Sequence, residues 1–486
     1  MNNQQTDKKI GPILMQPQDV VVRLTLFLLL AFCLLGSAAT ASAASKTWVP
    51  TTGGLWTTAA NWNPSGAPAE GDDVTIPADQ SANITAVPAM TLSNLTINGT
   101  CIFAAATSGT ALTASNSFTV ISGKTLTLGA PSARLNFTLA STATGTIAGT
   151  VVVTSGGGTF LCNGDLTMTS TGIINGPGIF TLSAGATLRI GSTAGISSSG
   201  SSGNIQVSGG LNYNVAANYV YDGTANQTTG TGLPSNLTGS LTINNPGNTV
   251  TLNNAETIAS GGTVNIVSGT FATGTSLTMA TTSSINRSGG TVTGTLQGSG
   301  VYNVTYTGNS MTTSSELSGA GLNNVTVNLS AGQTLTLGAN VSPDGNLTVN
   351  SGALDLSTFT INRSSSGGIF TLANGATLLV GGASNFPANY SAVNLGDTST
   401  VNYDAAGAQN VSAQTYGNLI FSGSGTKSIV SGTSITGNLN IGSGAIASIG
   451  SGLVIPVGSL TLGGLGEASG TWGSTTATLA TFHNDT

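Results

Sequence analysis

The chain has 486 residues and a formal net charge of −6, and only 5% of its residues are charged. Its 10 Lys and Arg residues form no cluster larger than Lys8-Lys9, which argues against nucleic acid as a partner. Disorder usually accompanies high charge and few β-branched residues, and this chain has the opposite bias. Small polar and β-branched residues in alternation are typical of strands joined by tight turns, so we expect an ordered all-β protein.

Residues 1–43 have the features of a secretory signal peptide. The uncharged stretch "LTLFLLLAFCLLG", Leu24–Gly36, follows Arg23 and is too short for a typical membrane span. Small residues up to Ala43 then offer a cleavage site. We therefore predict an extracellular or cell-surface protein that meets the membrane only through its signal peptide. An uncleaved anchor is the alternative, and Met15 is a second candidate for the start of the chain.

Residues 44–80 are predicted to form an N-terminal cap. Three of the four Trp residues, Trp48, Trp56 and Trp62, lie in this segment. The open end of a stack of strands exposes unpaired N–H and C=O groups, and the terminal units of repeat proteins are atypical in composition. Indole rings can cover the apolar end, while prolines cannot extend a strand ladder. We expect this segment to close the N-terminal end of the fold.

The same segment holds several acidic residues in a chain that has few. Because Ca²⁺ takes 6–8 oxygen ligands, a weak candidate calcium site consists of Glu70, Asp72, Asp73 and Asp79. Their spacing matches no loop of alternating Asp and Asn. The alternative is that Asp72 and Asp73 shape a turn before the strand at Val74. No other cofactor or metal is expected.

The rest of the chain repeats on two scales. "GIFTLSAGATLRIG", Gly178–Gly191, returns as "GIFTLANGATLLVG", Gly368–Gly381. A longer unit of roughly 90 residues begins with a strand that contains Tyr221, Tyr306 or Tyr403. The predicted sections are a first repetitive part, 81–218, the three longer repeats, 219–465, and a C-terminal cap or truncated continuation, 466–486.

Two architectures fit these repeats. Apolar-polar-apolar triplets recur about every 7 to 9 residues, which indicates short strands separated by turns. In a parallel β-helix, a β-solenoid, three such strands make a coil of roughly 20–25 residues and the coils stack. The alternative is a series of tandem β-sandwich domains of about 100 residues. We favour the elongated β-helix because no Pro-rich or charged linker interrupts residues 90–460.

Two cysteines, Cys101 and Cys162, remain after the predicted cleavage. At roughly 22 residues per coil they lie nearly three coils apart, on the order of 13 Å along the axis. A disulfide needs Cα atoms within about 7 Å. We therefore predict two free, buried thiols rather than a bridge.

A family resemblance covers nearly the whole mature chain, including the internal segment "GASNFPANYSAVNLGDTSTVNYDAAGAQNVSAQTYGNLIFSGSGTKSI", Gly382–Ile429. "TWVPTTGGLWTTAANWNPSGAPAEGDDVTIP" and "LGGLGEASGTWGSTTATLATFHNDT" resemble segments of large secreted bacterial β-strand-repeat proteins of the parallel β-helix, adhesin-like class. The resemblance implies secretion, a β-helix and a role at the cell surface, and it says little about activity. By analogy with the N-terminal cap, Trp472 is expected to help close the other end.

Catalysis is not expected from this sequence. The chain has a single His, His483, which argues against a Ser/His/Asp triad or a His-rich metal site. Asp222 and Asp404 each follow a repeated Tyr, while Arg287 and Arg363 each lie in "INRS", so repeat architecture explains them better than one active site. We predict that none of the five is catalytic. The alternative is a polysaccharide-active β-helix lyase or hydrolase, which needs converging carboxylates.

The favoured interpretation is a structural or adhesin-like protein. It would present a long, weakly charged surface to glycans, to host or neighbouring cells, or to copies of itself. A less favoured interpretation is binding to ice or another crystalline surface through Thr-x-Thr segments, such as those at Thr125 and Thr334. A groove with converging acids and Arg or Lys would indicate an enzyme, and a flat face with aligned Thr ranks would indicate an ice binder.

Overall fold

A computed structural model describes residues 43–154, 158–298 and 300–476, together with the backbone of 482–483. Within these ranges the chain is all-β and forms a parallel β-solenoid of about 18 turns, which confirms the predicted fold class. The predicted signal peptide, apart from Ala43, lies outside the described residues.

The strands are short and follow one another around the coils. The first part contains β1 (Ser45–Trp48), β2 (Gly53–Leu55), β3 (Trp62–Asn63), β4 (Asp73–Ile76), β5 (Ser81–Val87), β6 (Met90–Ile97), β7 (Thr100–Ala105), β8 (Thr110–Val120), β9 (Thr125–Leu128), β10 (Leu135–Leu139), β11 (Thr144–Ile147), β12 (Thr150–Val153), β13 (Thr159–Cys162), β14 (Asp165–Met168), β15 (Ile173–Gly176), β16 (Ile179–Leu182), β17 (Thr187–Ile190), β18 (Ile205–Val207) and β19 (Gly210–Tyr213).

The middle part contains β20 (Asn218–Tyr221), β21 (Gln227–Thr228), β22 (Ser240–Thr251), β23 (Glu256–Ile258), β24 (Thr263–Met279), β25 (Ser284–Arg287), β26 (Thr291–Gly298), β27 (Tyr302–Gly308), β28 (Met311–Thr312), β29 (Leu322–Leu329), β30 (Thr334–Thr336), β31 (Leu347–Ser351), β32 (Ala353–Asp355), β33 (Gly367–Leu372) and β34 (Thr377–Val380).

The last part contains β35 (Tyr390–Leu395), β36 (Thr400–Tyr403), β37 (Gln409–Asn410), β38 (Thr415–Tyr416), β39 (Asn418–Phe421), β40 (Gly425–Ile429), β41 (Ser434–Ile441), β42 (Ala445–Ile449), β43 (Val457–Leu462), β44 (Leu465–Gly466), β45 (Trp472–Gly473) and β46 (Phe482–His483). Two 3-10 helices, Ala59–Asn61 and Ser315–Leu317, interrupt the strands of the described ranges. No helix in those ranges has the length and apolar character needed to cross a bilayer.

One ladder of parallel strands sets the length of the coil. It pairs Thr75 with Thr96 in the next coil and reaches Asn394 after 14 such steps. The ladder therefore advances by about 23 residues per coil, close to the sequence estimate for a parallel β-helix. Neighbouring strands in such a ladder lie about 4.8 Å apart.

Strand alternation explains why the core lies inside the coil. In β14, Leu166 and Met168 are fully buried while Asp165 and Thr167 point outward. The corners are as tightly specified as the strands. A Cβ atom at Gly172 would lie 1.9 Å from the carbonyl oxygen of Ile147 in the preceding coil, so this corner accepts glycine alone.

Aromatic rings stack through the core of the first part. Phe118 and Phe137 have ring centroids 4.4 Å apart, Phe137 and Phe160 are 5.1 Å apart, and Phe160 and Phe180 are 5.9 Å apart. Burying each ring contributes roughly 1.5–3 kcal/mol, and ring pairs add to this. Successive coils are thus joined by side chains as well as by backbone hydrogen bonds.

The sequence repeat that begins at Gly178 and Gly368 is out of step with the coil, because its two copies do not lie in the same ladder. Phe180 lies on β16, which pairs with β13 and β19. Its counterpart Phe370 lies on β33, whose ladder leads back to Leu188 on β17 instead. The two copies therefore occupy different sides of the solenoid.

The repeated tyrosines have a common structural role. Each is fully buried, and its hydroxyl group bonds to a residue of the loop that follows, between 8 and 10 positions later in the chain. The three contacts are Tyr221 to the carbonyl oxygen of Thr229 (2.7 Å), Tyr306 to Glu316 Oε1 (2.6 Å), and the amide of Ser412 to the Tyr403 hydroxyl (2.9 Å). This contact explains why Tyr recurs where the sequence repeats.

The N-terminal Trp cluster closes the first coil. Strand β3 runs antiparallel to β1 and places Trp62 opposite Trp48, with ring centroids 5.0 Å apart. Trp56 packs against Trp62 at 4.9 Å and against Phe103 at 5.6 Å. All three indoles are buried. Because β3 covers the outer edge of β1, the parallel ladder ends here in a paired strand.

The two cysteines of the described residues are free thiols, as predicted. Cys101 lies on β7, which pairs with β5 and β9, whereas Cys162 lies on β13 in a different ladder. The pair is therefore separated around the coil as well as along the axis. Burial raises the pKa of the Cys162 thiol to about 12.

Candidate functional site

One outward row runs along the solenoid. It takes one residue from each coil between Thr47 and Asn394, and each residue pairs in register with the next. Eleven members are threonines: Thr47, Thr75, Thr96, Thr119, Thr146, Thr167, Thr242, Thr305, Thr326, Thr348 and Thr371. The other five are Arg189, Val220, Asn265, Asn286 and Asn394. We name these sixteen residues the threonine row.

The hydroxyl groups of this row are largely unused by the protein. Among the described residues, Thr242 alone of the eleven threonines makes a side-chain hydrogen bond, which it accepts from Asn265 Nδ2 at 3.2 Å. The neighbouring outward row, two residues earlier on the same strands, bonds to itself instead. Asn94 donates to Asp73 at 2.6 Å, and Ser117 donates to Asn94 at 2.5 Å. The side chains of the neighbouring row thus form hydrogen bonds between successive coils. The threonine row instead offers hydroxyl groups that are free to donate and accept hydrogen bonds.

Charge enters the threonine row at Arg189. Its guanidinium group binds both carboxylate oxygens of Asp165, at 2.9–3.1 Å, and lies 4.0 Å from Asp222. The Arg189 and Asp165 side chains are about one-third exposed. Burial raises the pKa of Asp222, and the nearby Arg189 charge opposes this shift. Asp165 and Asp222 are isolated acids 57 residues apart in the sequence, but the stacking of coils brings them to the same arginine.

Asp404, the sequence counterpart of Asp222, has a different environment. Burial and the neighbouring Asp355 raise its pKa, while the charge of Lys427 lowers it. Lys427 itself is buried, and its ammonium group donates to the carbonyl oxygens of Ala405 at 2.7 Å and Gly407 at 3.2 Å. The two aspartates therefore share a place in the repeat without sharing a function in the structure.

A buried glutamine follows each of these aspartates, and sequence reasoning missed it. Gln227 donates to the carbonyl oxygens of Ile190 and Ser192 in the preceding coil and accepts from Asn245 at 3.0 Å. Gln409 makes the same three kinds of contact, with Val380, Gly382 and Lys427. The signal was present in the sequence, because both glutamines close matched segments, "YVYDGTANQ" and "VNYDAAGAQ".

An ion pair lies inside the solenoid. Arg287 Nη1 contacts Glu316 Oε1 at 2.6 Å, and both side chains are almost fully buried. Tyr306 donates to the same carboxylate at 2.6 Å, Ser314 donates to its other oxygen, and Arg287 donates to the carbonyl oxygen of Gly290. Every charged group of this network has hydrogen-bond partners, which is the condition for tolerating buried charge.

The two "INRS" segments do not occupy equivalent positions, which corrects the sequence interpretation. Arg287 ends β25 and points into the core, whereas Ile361 forms an isolated bridge to Val341 and Arg363 lies near the surface. The physical reason is that four matching residues do not determine on which side of the coil a segment falls. The side chain of His483, the fifth residue considered for catalysis, lies outside the described residues.

The acidic residues of the cap serve as hydrogen-bond acceptors. Asp72 accepts from the amides of Ala44 and Ala69, both at 2.9 Å, and Glu70 accepts from the amide of Thr91 at 2.9 Å. Asp73 accepts from Asn94, and Asp79 accepts from Gln80 at 3.4 Å. Glu70 and Asp73 thus tie the cap to β6, whereas the partners of Asp72 and Asp79 lie within the cap. No group of three or more His, Cys, Asp or Glu side chains suited to a metal ion occurs in the described ranges.

The expected C-terminal role of Trp472 stays a prediction. Its indole nitrogen donates to the carbonyl oxygen of Ala468 at 2.9 Å, and β45 pairs with β46.

A shallow concavity elsewhere on the surface is lined by small and amide residues, among them Gln333, Asn350 and Asn374. Its lining contains no ionisable side chain.

The threonine row has few threonines beside it. Within the described strands, Thr144 lies two residues before Thr146 on β11, and Thr307 lies two residues after Thr305 on β27. A two-dimensional Thr lattice, which a crystalline surface would require, is therefore not formed on this face.

Comparisons with family models, with curated proteins and with solved structures each gave no match.

Proposed function

We propose that the chain is a secreted, non-catalytic protein of the cell surface or extracellular matrix that acts as a structural or adhesin-like rod. The observation that carries this proposal is the threonine row. It is a long outward file of side chains, neutral except for Arg189, in which ten of the eleven threonine hydroxyl groups lack protein partners among the described residues. A surface of this kind suits repeated weak contacts along a partner rather than the binding of one small molecule.

The distribution of charge supports the same proposal. Arg189 is neutralised by Asp165, Arg287 by Glu316, and Lys427 lies among carbonyl oxygens. Each of these three cations thus joins neighbouring coils. An enzyme of this fold would need its acids at the wall of a groove that holds the substrate.

The proposal is tested by expressing the full chain in a bacterial host. We expect antibody to label intact cells or to find the protein in the medium, cleaved near Ala43 as judged by N-terminal sequencing. Cells with the protein should adhere more to glycan-coated or cell-coated surfaces than cells without it. An uncleaved cytoplasmic protein, or equal adhesion, would contradict the proposal.

A polysaccharide-active enzyme is the second candidate, and the cluster of Asp165, Arg189 and Asp222 is the observation that favours it. Purified protein would be incubated with a panel of neutral and uronate-containing polysaccharides, and new reducing ends and unsaturated uronates would be measured. We expect no turnover. Turnover that Asp222→Asn abolishes, while Asp404→Asn leaves it intact, would replace the adhesin-like proposal.

A further inference from the structure

We infer that the threonine row binds a neutral, linear polysaccharide that lies along the solenoid axis. This inference rests on the proposed function and names the class of ligand that the surface accepts. The ligand is defined by three properties of the row, namely its hydrogen-bonding groups, its shape and its charge.

The first property is hydrogen bonding. Each threonine hydroxyl is both a donor and an acceptor, as each sugar hydroxyl is. Ten of the eleven threonines keep both capacities free of protein partners in the described ranges. The methyl groups beside them give the faces of sugar rings an apolar contact. A polymer rich in hydroxyl groups can therefore bond to the row at each coil that contributes a threonine with a free hydroxyl group.

The second property is shape. Thr47, Thr75, Thr96, Thr119, Thr146 and Thr167 follow one another without interruption. At about 4.8 Å per coil this block is roughly 24 Å long and only one side chain wide. A narrow, straight file of equal groups fits an extended chain that runs parallel to it. The bonded neighbouring row, with Asn94 and Ser117, keeps the file rigid, so little freedom is lost on binding.

The third property is charge. The row contains a single cation, Arg189, and Asp165 already binds it through both carboxylate oxygens. Sulfated or uronate polymers would find no free cation here. A protein partner would need aromatic or arginine anchors, and the one apolar residue of the row, Val220, is itself buried. The surface therefore favours an uncharged carbohydrate over both alternatives.

Affinity should depend on polymer length. A contact at one coil contributes little, but contacts at successive coils act together because they belong to one rigid surface. A trisaccharide is expected to bind far more weakly than a polymer of the same sugar. Salt should have little effect, because no ion pair forms between the row and the ligand.

The experiment is affinity electrophoresis of the mature protein in native gels that contain hydroxyethylcellulose, soluble galactomannan or dextran sulfate. The test variant is T96V/T119V/T146V, which removes three hydroxyl groups and keeps β-branched side chains. The matched control is T91V/T113V/T138V, three stacked threonines on β6, β8 and β10 that face another side. The single variant T119V is included so that the conclusion does not depend on a triple substitution.

We expect retardation by at least one neutral polymer, none by dextran sulfate, and about tenfold weaker binding for the test variant. The control should bind as the wild type does, and T119V should show a smaller loss. Absence of retardation by the neutral polymers, or equal losses in test and control, would overturn the inference. Adhesion of cells that persists in the test variant would overturn it while leaving the proposed function intact.

Discussion

Glu256 is a residue whose ionisation should be visible in stability. Burial raises its pKa from 4.5 to about 8, although the amides of Thr257, Leu237 and Asn236 favour the charged form. The folded protein thus holds the proton more tightly than the unfolded chain. The contribution of Glu256 to the free energy of unfolding is complete below about pH 4.5 and is lost as the pH rises through about 8.

We therefore expect the urea midpoint of the wild type to fall between pH 5 and pH 9, and the fall to be smaller in Glu256→Gln. Equilibrium unfolding followed by circular dichroism measures both. Asp79→Asn, at an exposed position, is the control and should keep the wild-type dependence. The same dependence in Glu256→Gln would contradict the assignment.

The buried pair of Arg287 and Glu316 predicts a strong asymmetry between substitutions. Removing one partner leaves an unpaired charge in the core, so Glu316→Gln should lower the free energy of unfolding by about 3–5 kcal/mol. The partly exposed pair of Arg189 and Asp165 gives the comparison, because Asp165→Asn should cost no more than about 1 kcal/mol. Urea unfolding of both variants checks this prediction. Equal losses would mean that the internal pair is solvated.

At the scale of elements, the Trp cluster should protect the coils next to it. Trp62→Ala would remove a buried ring that contacts Trp48 and Trp56, at a cost of about 3–5 kcal/mol. In a stack, each coil is stabilised mainly by its neighbours, so the effect should be local. We expect faster amide exchange in β1, β4 and β6, with β39 and β41 unchanged, measured by mass spectrometry. Uniformly faster exchange would show that the whole stack unfolds as one unit.

The elements that the sequence could predict are those set by local alternation. Triplets such as Leu166-Thr167-Met168 alternate in polarity, so inward and outward faces could be assigned correctly. The free cysteines followed from coil length alone. The side of the coil on which a given strand lies could not be predicted, because it depends on the length of every preceding turn. The coil from Arg189 to Val220, for example, is longer than the coil before it, because a loop at 191–204 is inserted between β17 and β18.

The same limit applies to the candidate site. The threonine row and the cluster of Asp165, Arg189 and Asp222 exist only because residues from different coils fall in register. The sequence displayed Thr-x-Thr segments without showing that one Thr from each coil lines up. The two "INRS" segments looked equivalent because their four residues are identical. The structure places them on different sides of the coil, which the local sequence does not reveal.

At the scale of the whole molecule, about 18 turns at about 4.8 Å per turn give a rod on the order of 85 Å long. Small-angle X-ray scattering of the mature protein should therefore show an elongated, rigid particle with a cross-section that stays constant along its length. Reduced and non-reduced samples should give the same curve, since Cys101 and Cys162 are not linked. A compact sphere or a chain of flexible beads would contradict the continuous solenoid.

The parallel ladders also determine how the protein responds to mechanical force. Hydrogen bonds between coils run along the axis, so tension between the two ends loads them one coil after another rather than all together. Each coil that detaches releases about 23 residues, which can extend by roughly 75 Å in place of a single step of about 4.8 Å. A tethered rod of this kind would lengthen in steps at low force and so dissipate mechanical energy before its attachment breaks. The paired β3 edge and the Trp cluster should resist the start of that unzipping at the N-terminal end.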